Sequence, residues 1–120
     1  MSTSTKNPLV STEPLPDAEK LALYLNAGVL LIESAHRSED IVNPSRGRVV
    51  PEGTRGDGTH RWGVASAWYV EQYGYDPTGR LAEQVVAHIR KRGYEVPTHT
   101  ASDVAAIKAQ FAKDLLRVSW

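Results

Sequence analysis

The feature that most constrains this chain is the stretch Glu52-Gly53-Thr54-Arg55-Gly56-Asp57-Gly58-Thr59-His60-Arg61-Trp62-Gly63, which places four glycines within twelve residues. So many residues without a Cβ neither sustain a helix nor fill a core, and Asp57-Gly58 is a favoured pair for a tight reversal. The stretch therefore predicts a hairpin, with Thr54-Arg55 facing Thr59 to Trp62. Everything else must be arranged around this polar reversal in the middle of the chain.

Elements on either side follow from periodicity and punctuation. Asp17 is a good N-cap for a helix to about Ala27, with Ala18, Leu21, Ala22 and Leu25 on one face. Val29-Leu30-Leu31-Ile32 reads as a short strand buried on both faces. Residues 33–48 are polar and read as a long loop with a turn at Asn43-Pro44-Ser45, and Val49-Val50-Pro51 reads as a short edge strand. Ala65 to Tyr73 is a helix ended by Gly74. Asp76-Pro77 predicts the start of another helix, carrying Leu81, Val85 and Ile89 and stopped by Gly93. Tyr94 to Val96 reads as a last extended piece. A C-terminal helix from Thr100–Asp103 carries Val104, Ile107, Phe111, Leu115 and Val118 on one stripe, with Ala105, Ala106, Ala109 and Ala112 raising its propensity. The expected fold class is α+β: a mostly helical single domain with a small antiparallel sheet. Residues 1–16, rich in Ser, Thr and Pro, are expected as a flexible tail, residues 17–97 as the core domain and residues 98–120 as the C-terminal amphipathic helix.

Composition narrows the function classes. Fourteen basic residues balance fourteen acidic ones, unlike a general nucleic-acid binder. There is no cysteine, so thiolate zinc sites and thiol catalysis are excluded. The most apolar run, Ala27 to Ile32, is far shorter than the ~20 residues of a membrane helix, and the N-terminal segment lacks the apolar run of a signal peptide. The expectation is a soluble, cytoplasmic protein with no membrane partner.

Asp57-Gly58-Thr59-His60-Arg61-Trp62, followed by Ala67-Trp68-Tyr69-Val70-Glu71-Gln72-Tyr73-Gly74, resembles a segment of small uncharacterised actinobacterial domains. There, an Asp-Gly-x-Trp-like hairpin leads into an aromatic helix. Asn43-Pro44-Ser45-Arg46, Val49-Val50-Pro51 and Val86 to Tyr94 fit the same pattern, so the resemblance spans roughly residues 20–96. It implies a shared fold and carries no activity with it. The chain departs from the pattern at His60-Arg61, where the similar domains are aliphatic.

Candidate chemistry concentrates at the hairpin. Arg46, Arg48, Arg55, Arg61 and His60 stand against only Glu52 and Asp57, and arginine forks beside glycine backbone suit phosphate or carboxylate. The Lys-Ser/Thr of a phosphate loop is absent. Trp62, Trp68, Tyr69, Tyr73 and Tyr75 form an aromatic block; Trp68 is assigned to the core, whereas Trp62, Tyr69, Tyr73 and Tyr75 are candidate contact residues. His36, His60, His88 and His99 show no i, i+4 metal-binding pair, and no nucleophile elbow is present. No catalytic residue, metal ligand or cofactor is assigned. The leading expectation is a non-enzymatic accessory, regulatory or assembly-subunit protein that binds a protein partner or a second copy of itself. The binding residues would be Arg46, Arg48, Arg55, Asp57, His60, Arg61, Trp62, Tyr69 and Tyr73, with the C-terminal helix as a second contact. The alternatives are a nucleic-acid or nucleotide binder using the same arginines, and a small metal-dependent hydrolase built on His36 and His60.

Overall fold

The computed structural model describes residues 13–118, and the expected tail lies outside the described residues up to residue 12. The chain runs α1 (Ala18–Asn26), β1 (Val29–Glu39), a 3-10 turn (Pro44–Arg46), β2 (Arg48–Gly56), β3 (Arg61–Gly63), α2 (Val64–Tyr73), α3 (Glu83–Lys91) and α4 (Ala101–Val118). It is an α+β fold, mostly helical, with one antiparallel sheet of order β1-β2-β3. Among the described residues no helix is long and apolar enough to cross a membrane.

The principal core lies among helices. Leu21, Tyr24 and Leu25 of α1 meet Ala67 and Val70 of α2, Val85, Val86 and Ile89 of α3, and Leu81 just before α3. The sheet contributes one large side chain to this core, Trp62 of β3, which is 5% exposed. Its indole N–H donates to the Leu25 carbonyl at 2.9 Å, capping an orphan acceptor at the end of α1. Gly28 is the residue that allows this approach: a Cβ there would stand 2.6 Å from Cζ2 of Trp62. A smaller cluster of Val50, Ala65 and Tyr69 joins α2 to β2.

Several elements differ from expectation for identifiable reasons. The short buried strand and the polar loop after it are one edge strand. Val29 to Leu31 are only half-buried, Ile32 is exposed, and the polar residues to Glu39 still pair with β2 through their backbone. An exposed edge makes no demand for alternating apolar side chains, so periodicity gives no signal there. Bulges interrupt the ladder between Leu30 and Ile32, Glu33 and Arg37, and Ser38 and Glu39. Gly53 serves this irregular pairing, with φ at +133° and a would-be Cβ 2.5 Å from the Ile32 carbonyl oxygen. Pro51 sits inside β2 because β3 pairs only Thr54 to Gly56, which leaves β2 without a second neighbour at Pro51.

The hairpin forms with Arg55 opposite Trp62 and Thr54 opposite Gly63, but its tip is one residue later than Asp57-Gly58 predicts. The Asp57 N–H donates to the His60 carbonyl, so Gly58 and Thr59 occupy the centre of the turn. Asp76 does not open a helix. Its buried carboxylate accepts from the Thr78 N–H and hydroxyl and the Leu81 N–H, holding a loop over five residues before α3 begins at Glu83. Tyr94 is not extended. Bonds from Gly93 N–H to the Arg90 carbonyl and from Tyr94 N–H to the Ile89 carbonyl close α3 with a Schellman turn, and Tyr94 has φ of 65°. Leu15, expected in the flexible tail, is held instead: its N–H donates to the Gly74 carbonyl and its side chain packs on the core.

The N-terminal and penultimate helices are tied by charge. Arg90 donates to both carboxylate oxygens of Asp17, at 2.8 and 3.0 Å, and the Tyr94 hydroxyl donates to Oδ2 at 2.7 Å. The Arg90 hydrogen bond, outweighing partial burial and aided by Tyr94, pulls the Asp17 carboxyl down to about 2. Because the folded value is depressed, this contribution is complete above the ordinary carboxyl value near ~3.9 and is lost as pH falls toward 2. Asp17→Asn is therefore expected to flatten the stability–pH curve between about pH 4 and 2, measured by urea unfolding across that window. Trp62→Ala is expected to cost about 4 kcal/mol, while Leu23→Ala on the exposed face of α1 changes stability by less than ~0.5 kcal/mol; denaturant midpoints compare the two.

Candidate functional site

The Asp57 carboxylate organises the region that sequence reading marked as the site. It is the first residue of the hairpin turn, and its Oδ1 accepts from the backbone N–H groups of Thr59 at 2.8 Å and His60 at 2.7 Å. The Tyr24 hydroxyl on α1 donates to Oδ2 at 2.6 Å. His88 Nε2 on α3 lies 3.5 Å from the same oxygen, an ion pair when the imidazole is protonated. The His60 ring meets the His88 ring edge-on, with centroids 4.7 Å apart. Burial opposes ionisation of Asp57, but the Tyr24 hydroxyl, the two N–H groups and His88 outweigh it and hold its carboxyl below the ordinary range. Burial, then the Asp57 hydrogen bond, pushes the Tyr24 phenol upward. Asp57 thus joins three separate elements, and its acceptor capacity is filled by the protein itself.

The hairpin arginines are engaged in the same way. Arg55 Nη1 donates to the Gly28 carbonyl at 2.7 Å, and its buried Nε has no hydrogen-bond partner. Arg61 pairs with Asp114 of α4, and its guanidinium lies 5.0 Å from the Phe111 ring centroid. Arg46 lies 5.2 Å from the Trp68 ring centroid, donates to the Tyr73 hydroxyl at 3.1 Å and approaches Asp40 at 3.5 Å. Arg48, at the start of β2, is exposed.

Asp40, outside the nine expected contact residues, is fully buried and anchors the β1–β2 connection. Its Oδ1 accepts from the N–H groups of Val42 and Asn43, and its Oδ2 accepts from the Tyr73 hydroxyl. The Tyr69 hydroxyl accepts from the Ile41 N–H at 2.9 Å. Burial opposes the charge on Asp40, yet these donors and Arg46 leave its carboxyl below its ordinary value.

These placements separate the nine expected contact residues. Trp62 and Tyr69, at 5% and 2% exposure, are core residues and present no contact surface. Trp68, expected in the core, is only partly buried and packs beside it. Arg46 and Tyr73 form one cluster with Asp40; Asp57 and His60 form a second with Tyr24 and His88; Arg61 faces α4. Tyr24 and His88 lie 33 and 31 residues from Asp57 in the chain, and no local spacing marks them as its partners. Among the described residues no three His, Asp or Glu side chains are grouped to hold a metal ion.

The hairpin's outer side is covered by α4. A Cβ on Gly58 would stand 3.4 Å from Ile107, and Arg61 reaches Phe111 and Asp114. The helix starts with a capping box in which the Asp103 N–H donates to the Thr100 hydroxyl and the Thr100 N–H donates to the Asp103 carboxylate. No α4 side chain from Ala101 to Leu116 is buried. A groove of about 520 Å³ remains between Leu30, Leu31 and Ile32 of β1 and Phe111, Ala112 and Leu115 of α4.

Asp57→Asn is expected to destabilise the fold by about 2 kcal/mol at neutral pH, as loss of a buried charge-assisted acceptor does. Since the native carboxyl value is lowered, the difference from wild type shrinks as pH falls below the ordinary carboxyl range; chemical unfolding at pH 7 and pH 3 reads it. No family model matches the chain, and neither a curated protein nor a solved structure does.

Proposed function

We propose that the chain is a non-enzymatic interaction protein, an accessory or assembly subunit of the cytoplasm, whose contact surface is α4 together with the β1 edge beside it. The observation that carries the reading is the state of α4. Its apolar stripe of Val104, Ile107 and Phe111 turns toward the sheet but is only half-buried, and Leu115 and Leu116 remain 50% and 64% exposed. Ile32, also exposed, lies across the groove from Phe111 and Leu115. An 18-residue helix that leaves this much apolar surface uncovered gains little from packing in cis. A protein partner that covers the groove would bury Ile32, Phe111, Leu115 and Leu116 together.

The arginines support this relocation of the surface. Arg55 is committed to Gly28, Arg61 to Asp114 and Phe111, and Arg46 to Asp40 and Tyr73, so three of the four hairpin cations already serve the fold. The binding surface moves from the hairpin tip to the helix that covers it, with Arg61 as the polar link between them.

Affinity capture on tagged wild-type protein, nuclease-treated and analysed by mass spectrometry, tests the reading beside Leu115→Lys/Leu116→Lys. Both positions are exposed, so the variant is expected to keep wild-type stability within ~0.5 kcal/mol. The expected result is one protein partner, or a second copy of this chain, that survives nuclease and falls at least about tenfold in the variant. Equal recovery by both proteins, or a ligand removed by nuclease, contradicts the reading.

A further inference from the structure

A second surface shares no residue with the α4 groove. Between α1 and α2 lies an open cleft of about 510 Å³, within the ~300–1,000 Å³ range of binding clefts. Ala18, Ala22 and Val70 line it, Gly74 lies at it with Pro14 packed on the position its Cβ would take, and Leu23, also lining it, is 67% exposed. Leu23 is the most exposed of the large apolar residues of the described chain. Glu19, one turn before Leu23 on α1, and Glu71 of α2 are the charged residues lining the cleft; among the described residues no Lys, Arg or His lines it. The neighbouring Lys20 is turned away, its ammonium 5.2 Å from the Tyr94 ring centroid. The Asn26 amide donates to Glu71 at 3.2 Å and fixes that carboxylate across the two helices.

We infer that this cleft is a docking site for an amphipathic helical segment of a protein partner, with apolar anchors flanked by Lys or Arg. α1 and α2 satisfy their own backbone groups along the cleft, so no strand edge is offered, and a helix is the occupant that arrives with its amides already paired. The small side chains of Ala18 and Ala22 on α1 let another helix approach closely, with Leu23 packing between its side chains. The two carboxylates, with no cation between them, select the sign of the flanking charge and reject an acidic segment.

Fluorescence anisotropy on the full chain, with two synthetic helical peptides of about fourteen residues, provides the test. Both carry the same leucine stripe; one has Lys and the other Glu at the flanking positions. The Lys peptide is expected to bind wild type at least about tenfold more tightly than the Glu peptide, and Glu19→Lys/Glu71→Lys is expected to reverse that order. Leu115→Lys/Leu116→Lys is expected to keep wild-type affinity for the Lys peptide, which separates this cleft from the α4 surface. Equal binding of the two peptides to wild type, an unchanged preference in the glutamate variant, or no binding of the Lys peptide at millimolar concentration would overturn the inference.

Discussion

The structure depends on one buried carboxylate. Asp57 receives a phenol hydroxyl from α1 and two backbone N–H groups from its own turn, and it faces an imidazole on α3. These bonds fasten a glycine-rich hairpin, which has little apolar surface of its own, to the helical core. Trp62, two residues past the turn, completes the attachment by filling the space between α1 and α2 and donating to Leu25. A polar reversal that would otherwise lie loose in solvent becomes a wall of the core. The short β3 and the start of α2 follow from it.

This anchoring explains the fate of the arginines. A hairpin pressed against helices brings its long side chains within reach of backbone carbonyls and acids, and Arg55 and Arg61 are used there. Asp40 plays the corresponding role at the other end of the sheet, closing the β1–β2 connection over Tyr69, Tyr73 and Arg46. The aromatic block is therefore divided between core and clamp, and the large exposed apolar side chains of the described residues are Leu23, Ile32, Ile41, Val42, Val96, Leu115 and Leu116.

How much of this was legible in the sequence depended on the range of the interactions involved. α1, α2 and α4 were readable from local signals, the apolar stripes of α1 and α4, the Gly74 stop of α2 and the Thr100–Asp103 cap of α4, although Asp17 caps no N–H of α1 and gives its carboxylate to Arg90 and Tyr94 instead. The C-terminal half of β1 was not readable, because an edge strand held by backbone pairing needs no pattern of side chains. Asp76-Pro77 misled, since an aspartate before proline suits a helix cap and a loop tie equally well; the Leu81 N–H, five residues on, decides between them. The site was half legible. Asp57, Arg55 and Arg61 were read as contact residues, and the partners they have within the fold, Tyr24, Gly28, His88 and Asp114, are set by tertiary packing, which no spacing in the chain announces.

The account rests on a hairpin built into the core and a C-terminal helix that only covers it. Hydrogen–deuterium exchange of the full chain, resolved by peptide and read by mass spectrometry, tests this most directly. The amides of α1, of α3 and of Arg55 to Trp62 are expected to exchange together and slowly, through global unfolding. Those of Val104 to Leu115 are expected to exchange at least about a hundredfold faster, through local release of α4. Exchange of α4 at the same slow rate as α1 and α3 would contradict the account, because it would make that helix part of the core.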